Sequence, residues 1–419
     1  MSDFKKVSKC KLCLSSDLKK VISFPKLPIG DLYLPKEKSN FNKKVYELNI
    51  MMCQNCYHYQ NSGFVNPNLI YEYYLSRPAA TNINLEISFQ EYAKYLIKNF
   101  SIDKKELFAI EAGSNAGTFI DYMKKNLNVK VLGVEPSNLA EESKKKGLEV
   151  VNDYFNKDLA KKILLKYGQA DFFIANHTFS NIIDNTDFIE GVKLLLKNDG
   201  VFSMQTHYHK AVIEKNLIEN FTHEHLSGFW VKPLKKFFEK NEMEIIDVKI
   251  VEAKSGSIRC FIQKKNGPHK VSPSVQKIIA DEIKFGMEDI NRHKTVEKFI
   301  LERKNQIHNF LSQIIKKKDK IAGYGTSIGA TTFSFNYNLG KHLSFLIDDD
   351  EYRQNLLSPH YHIPVFSPKK IREENPLAII ILAPLYADDI IKKNLDYLSR
   401  GGVFIKVWPK FEVIKNEFV

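Results

Sequence analysis

The chain has 419 residues and a formal charge of +13, from 62 Lys+Arg against 49 Asp+Glu. At roughly 150 residues per domain this length predicts two or three domains, and a composition 43% hydrophobic and 26% charged excludes a disordered, collagenous or fibrous chain. No run of about 18 apolar residues is present, which excludes a membrane-spanning helix, and the opening residues Met1 to Cys10 hold no apolar signal core, so a cytoplasmic protein is expected.

The basic balance is read as Lys-rich solvated faces that also suit an anionic small substrate such as a nucleotide sugar. No basic run is interleaved with aromatics as a base-stacking surface would be. No nucleic acid and no membrane partner is expected, and the chain is expected to be a monomer or weak dimer.

Four of the five cysteines fall in two C-x-x-C pairs, Cys10 with Cys13 and Cys53 with Cys56. The two-residue gap lets both thiolates of a knuckle reach one ion, and four thiolates match tetrahedral Zn²⁺. With every position a thiolate, the ion is structural and leaves no open place for a catalytic water. Disulfides are disfavoured in a cytoplasmic protein, and two such pairs favour metal over a redox pair. Cys260 stands alone in a strand-like run and reads as core. The apolar pieces Val21 to Phe24 and Val45 to Leu48, between the two pairs, predict small strands.

From Leu107 short apolar strands alternate with helices. Strands are predicted at 107–111, 130–135, 170–175 and 200–205, with helices at 119–126, 138–146 and 188–197. Such alternation gives an α/β fold with a mostly parallel sheet and helices on both faces, and these sheets bind ligands at the carboxyl ends of their strands. At that edge Gly113 and Gly117 let the backbone approach a ligand. Glu111 ends the first strand, where it can meet an amino-acid group, and Glu135 ends the second, where it can accept from ribose hydroxyls. The loop reads G-S-N-A-G and lacks the third glycine of the phosphate-binding G-x-G-x-x-G fingerprint. It suits S-adenosylmethionine, which carries no phosphate, better than NAD.

Three ionisable residues, His223, Glu224 and His225, follow the last of these units. A histidine with a pKa near neutrality is a suitable general base. H-x-H spacing in a strand would also put two imidazoles on one face for a metal, as His207 and His209 would nearby, and a structural cluster is a third reading. A polar stretch, about Ser274 to Lys318, predicts a pair of linker helices with solvated Lys/Glu faces. A second α/β unit then begins at Ile321, with a Gly323-Tyr324-Gly325 turn, a following Gly329 and a strand ending in Asp348. Its G-x-G-x-x-x-G spacing departs from the dinucleotide fingerprint, leaving an NAD site as the weaker reading.

The run Glu111-Ala112-Gly113-Ser114-Asn115-Ala116-Gly117-Thr118 and the run Gly133-Val134-Glu135-Pro136-Ser137 resemble the first two S-adenosylmethionine motifs of the sugar C-methyltransferases. The stretch Thr222-His223-Glu224-His225-Leu226-Ser227 resembles that family's most specific signature, and Ser255-Gly256-Ser257-Ile258-Arg259 a later one. The resemblance covers nearly the whole chain. It implies a zinc-binding module over 1–75, a Rossmann-like methyltransferase domain over 76–268, a helical linker over 269–318, and a second Rossmann-like domain over 319–419 that helps hold the nucleotide of the substrate. It implies that Glu111, Gly113, Asn115, Gly117, Glu135, Pro136 and Asn176 hold S-adenosylmethionine, that Cys10, Cys13, Cys53 and Cys56 hold zinc, and that the acceptor is a keto nucleotide-sugar. Methylating a sugar carbon requires a base to form an enolate. The family's base maps onto His225, with Glu224 supporting it and His223 completing the group. Thr222 stands where the family has tyrosine, Asn181 where it has histidine, and Gln205 where it has an acid. These departures keep two alternatives open: O- or N-methylation, and a sugar-binding protein without catalysis.

Overall fold

The computed structural model describes residues 3–75, 83–101, 106–316 and 319–416. The N-terminal module holds antiparallel strands β1 (Leu18–Ser23), β2 (Asn49–Cys53) and β3 (Tyr59–Asn61). Leu48, Ile50 and Met52 are buried at a period of two, which sets the inward face of β2. The second expected strand therefore runs later than Val45–Leu48, where only Tyr46 forms a bridge, to Leu27.

Helix α1 (Ile83–Phe100) packs Tyr92, Ala93 and Leu96 on the next sheet. That sheet begins with β4 (Phe108–Ala112), followed by α2 (Thr118–Leu127), then β5 (Lys130–Val134), β6 (Val150–Val151), β7 (Ala170–Asn176) and β8 (Leu196–His207). The chain then returns to the first module, where β9 (Ser227–Gly228) pairs with β3 and makes the order β9-β3-β2-β1. The antiparallel hairpin β10 (Met243–Val251) and β11 (Ser257–Lys264) completes the second sheet, in the order β10-β11-β8-β7-β4-β5-β6. Its parallel strands bury both faces. Ile110, Leu132, Phe173 and Phe202 join one core, while Ala109, Val131, Phe172 and Val201 join the other. Each of these phenylalanines contributes about 2–3 kcal/mol by its burial.

Helices α3 (Pro273–Phe285) and α4 (Ile290–Ile314) form the expected pair but not a solvated linker. Glu282 on α3 is buried and accepts from the Val231 and Lys232 N–H groups and the Tyr208 hydroxyl. Along α4 an apolar seam of Val296, Ile307 and Leu311 runs between the charges, and Glu297 accepts from the Ser23 N–H. The pair thus braces both earlier sheets. The expected boundary residues 76 and 318 lie outside the described residues.

The last unit holds β12 (Ile321–Tyr324), α5 (Ile328–Asn336), β13 (Leu343–Ile347), β14 (Val365–Phe366), β15 (Ala378–Ile381), β16 (Val403–Lys406) and β17 (Glu412–Ile414). Its sheet order is β14-β13-β12-β15-β16-β17, parallel except for β17. A buried ion pair, Arg353 to Asp31 at 2.8 Å, ties this unit to the N-terminal module. No helix of the described residues is long and apolar enough to cross a membrane.

Candidate functional site

Each cysteine knuckle ends in a left-handed residue, Leu14 (φ 68°) and Tyr57 (φ 63°), whose N–H returns to the carbonyl of Cys10 or Cys53. The two matching turns bring four sulfurs within 4.8 Å of one another. Cys10 lies 3.6 Å from Cys56 and Cys13 3.5 Å from Cys53. A tetrahedral zinc with Zn–S bonds of about 2.3 Å sets its sulfurs about 3.8 Å apart, so the set fits that ion. Among the described residues no other group of three or more has metal-ligand spacing. His207 and His209 both border a small cavity of about 30 Å³ but gain no third ligand; His207 also lines the large cavity, while His209 stacks near Tyr59 and His293.

At the carboxyl edge of the middle sheet, Glu111 is buried and accepts from Asn176 Nδ2 at 2.8 Å through Oε1. Its Oε2, Asn176 Oδ1 and Ser114 Oγ have no partner. Burial pushes the Glu111 carboxyl up to about 8. An orphaned acceptor pair of this kind fits an ammonium group. Glu135 accepts from the Asn115 N–H (2.7 Å) and the Ser137 N–H (2.9 Å), one on each oxygen, which fixes the carboxylate and leaves a lone pair on each for ribose hydroxyls. Pro136, Tyr154 and Phe155 line the same cleft and suit a heteroaromatic ring. These groups fit S-adenosylmethionine. Gly113, at φ 71°, lies against Thr178, and a Cβ there would stand 2.1 Å from its Oγ1. Gly117 does not line the cleft. It caps α2 at φ 76° and packs on Leu148 and Ser143, so its part is to close the turn.

The His-Glu-His stretch is a turn rather than a strand. The Thr222 hydroxyl accepts from the N–H groups of Glu224 and His225 and curls the chain, so the three side chains diverge. His225 Nδ1 lies 2.8 Å from the Asn220 carbonyl and donates to it, which leaves Nε2 as the free base. Burial lowers its pKa to about 4, against the pull of that carbonyl and with a smaller push from Lys254. Glu224 does not hold the His225 ring. It accepts from the Tyr74 hydroxyl, and burial raises it to about 8. His223 is a correction to the catalytic group: its Nε2 donates to the Leu27 carbonyl, its ring meets the edge of Tyr46, and it does not line the cavity. The turn is held from the first module, where Asn61 donates to the Thr222 carbonyl through its side chain and to the Leu226 carbonyl through its N–H.

One cavity of about 650 Å³ joins these parts. It runs from Glu111, Gly113 and Glu135 past His225 and Glu224 to Ser327, Ile328 and Gly329 at the start of α5. Asn181, which lines it, donates to the Tyr71 hydroxyl. Gln205 stands behind the wall and accepts twice from Arg259. The sequence reading did not single out Tyr74, His177 or Lys254, which line the cavity, and took His207, which also lines it, only as half of a metal pair. His177 carried one signal, its place directly after the strand-end Asn176.

A cation-accepting pair at the first strand end, an acid at the second and a buried histidine across a shared cavity define the class, an S-adenosylmethionine-dependent methyltransferase. The chain matches the family model "C-methyltransferase C-terminal domain" over residues 252–409 and the model "Putative zinc binding domain" over residues 10–71. It is 24% identical over 414 residues to the C-methyltransferase NovU of Streptomyces niveus, covering 98% of each chain. Among solved structures it is similar to magnesium protoporphyrin IX methyltransferase of Synechocystis, at 11% identity and a TM-score of 0.33, over 46% of this chain and 88% of that one. It is likewise similar to an S-adenosylmethionine-dependent methyltransferase of Clostridium acetobutylicum, at 14% identity and a TM-score of 0.30, over 43% and 100%. Both matched regions and the full-length relative make the chain similar to C-methyltransferases along nearly its whole length.

Proposed function

We propose that the chain methylates a carbon of a nucleotide-linked keto sugar, with His225 as the base. The observation that carries this reading is the single cavity, which gives the cofactor edge, the histidine and the start of α5 one shared space. When bound, S-adenosylmethionine supplies an electrophilic methyl group. Glu111 and Asn176 would hold its amino-acid end, Glu135 its ribose and the Pro136, Tyr154 and Phe155 wall its base.

His225 is neutral at pH 7 and presents Nε2 to the acceptor, where it takes the proton from a carbon beside the ketone. Glu224 keeps its proton at neutral pH, so with Tyr74 it offers hydrogen bonds to sugar hydroxyls without adding a repelling charge beside the enolate. The positive end of α5 faces the same cavity and suits the nucleotide phosphates.

The test is incubation with S-adenosylmethionine and a panel of nucleoside diphosphate keto sugars, read by mass spectrometry and carbon NMR. A carbon-bound methyl is expected, and a methyl on oxygen or nitrogen would refute the reading. His225→Asn should slow transfer by about 10²- to 10⁴-fold while calorimetry shows unchanged cofactor affinity. An unimpaired variant would remove His225 from the role.

A further inference from the structure

Lys254 is the one lysine or arginine among the described residues that line the cavity. It sits in the turn between β10 and β11, where Lys254, Ser255 and Gly256 all have positive φ, at 51°, 65° and 137°. A non-glycine residue there costs about 1–2 kcal/mol. Four hydrogen bonds hold the strained turn: the Gly256 N–H and the Ser257 hydroxyl donate to the Ala253 carbonyl, Lys215 Nζ to the Ser255 carbonyl, and the Tyr208 N–H to the Gly256 carbonyl. The turn delivers an amine that makes no hydrogen bond or ion pair among the described residues; burial lowers its pKa, and the nearby Glu224 carboxyl opposes that fall.

The neighbouring imidazoles cannot supply that charge. His177, His207 and His225 stand in a row, with successive ring centroids 4.8 Å apart. Because Arg259 occupies Gln205 Oε1 twice, Gln205 turns its Nε2 donor toward His177 Nε2, which must accept. His177 is therefore neutral, and burial holds His207 and His225 in the same state.

We propose that Lys254 is a catalytic residue whose ammonium holds the acceptor's ketone oxygen as it becomes an enolate oxyanion. This rests on the keto-sugar reading above and narrows it to ketones with a hydrogen on the carbon that reaches His225. In the step, the C–H bond breaks and its proton passes to His225 Nε2. The C–H pair becomes the new C=C bond, and the carbonyl π pair moves onto oxygen opposite Lys254. Nothing else is consumed. The depressed basicity of His225 makes such a partner necessary, since a weak base needs a stronger carbon acid.

The test omits the methyl donor. Thymidine diphosphate 4-keto-6-deoxyglucose is incubated with the full chain in D₂O, and loss of its α-hydrogen signal is followed by proton NMR. The natural chain should accelerate exchange, and Lys254→Met should slow it about 100-fold, with Lys254→Arg retaining part of the rate. Removing the cation should also shift the acidic limb of the exchange–pH profile upward, because His225 then protonates more readily. The other groups facing His225 are His207, His177 and the Asn220 carbonyl, and Glu224 lines the same cavity. An unchanged thermal midpoint and S-adenosylmethionine affinity would separate this loss from misfolding. Exchange by Lys254→Met at the natural rate and pH profile would overturn the proposal and leave the keto-sugar reading standing. No exchange by the natural chain would overturn that reading, and this proposal with it.

Discussion

Two glycine turns follow the first strand of a parallel sheet in this chain, Gly113 to Gly117 after β4 and Gly325 to Gly329 after β12. Both face an acid at the end of the next strand, and both acids accept an N–H from the turn: Asn115 to Glu135 at 2.7 Å and Thr326 to Asp348 at 2.8 Å. The difference lies in what remains unmet. Beside the first turn, Glu111 Oε2 and Asn176 Oδ1 are buried without partners. Beside the second, Asp348 also takes the Thr326 hydroxyl and the Asp350 N–H, and Arg353 donates to the Thr326 carbonyl while pairing with Asp31. Buried polar groups in folded proteins are normally satisfied, so the unmet pair suits a cofactor, while the acid beside the second turn is already spent on a joint between domains. The same topology does both jobs.

The largest test of this contrast is a pair of glycine substitutions. Gly113→Ala forces a Cβ against Thr178 at a positive φ and should weaken S-adenosylmethionine binding by about 100-fold or more, which is about 2.7 kcal/mol. Gly325→Ala meets Ala383 at 2.7 Å and should lower the thermal midpoint instead, with cofactor affinity unchanged. Calorimetry showing equal losses in both variants would erase the distinction.

A middle-sized effect concerns Glu111. Its carboxyl is held up to about 8 by burial, so it is protonated at pH 7 in the free protein. A cationic ligand favours the ionised form, so affinity should rise with pH until about 8 and then level. Glu111→Gln should remove that rise and cost about tenfold in affinity at pH 8. The folded-state value lies above the unfolded one, so the stability it contributes is present below the unfolded value and lost as pH rises through about 8. At pH 8 the glutamine variant should thus be more stable to urea by about 4 kcal/mol.

The smallest effect is expected at the joint. Asp348→Asn should cost about 1 kcal/mol of stability through weakened charge-assisted hydrogen bonds, with cofactor affinity within about twofold of the natural chain. A large drop in affinity on calorimetry would mean that the second turn also takes part in binding.

The cysteine cluster and the placing of Glu111 and Glu135 at neighbouring strand ends were legible because their geometry is local. Two-residue spacing fixes a knuckle, and one β-α-β unit carries Glu111 to Glu135. The orientation of His223, Glu224 and His225 was not legible, since a strand reading would put both histidines on one face and the Thr222 turn sends them apart. Nor was the cavity wall. Tyr74, His177, His207 and Lys254 come from four separate segments, and only tertiary packing brings them together.

The pairing of β3 with β9 sets an order of events on the ribosome. β3 is complete by Asn61, but the strand that covers its outer edge is Ser227–Gly228. The edge therefore waits, open, while more than 160 residues are synthesised. The four cysteines are all available by residue 56, so early zinc capture would hold the nascent module closed until its last strand arrives.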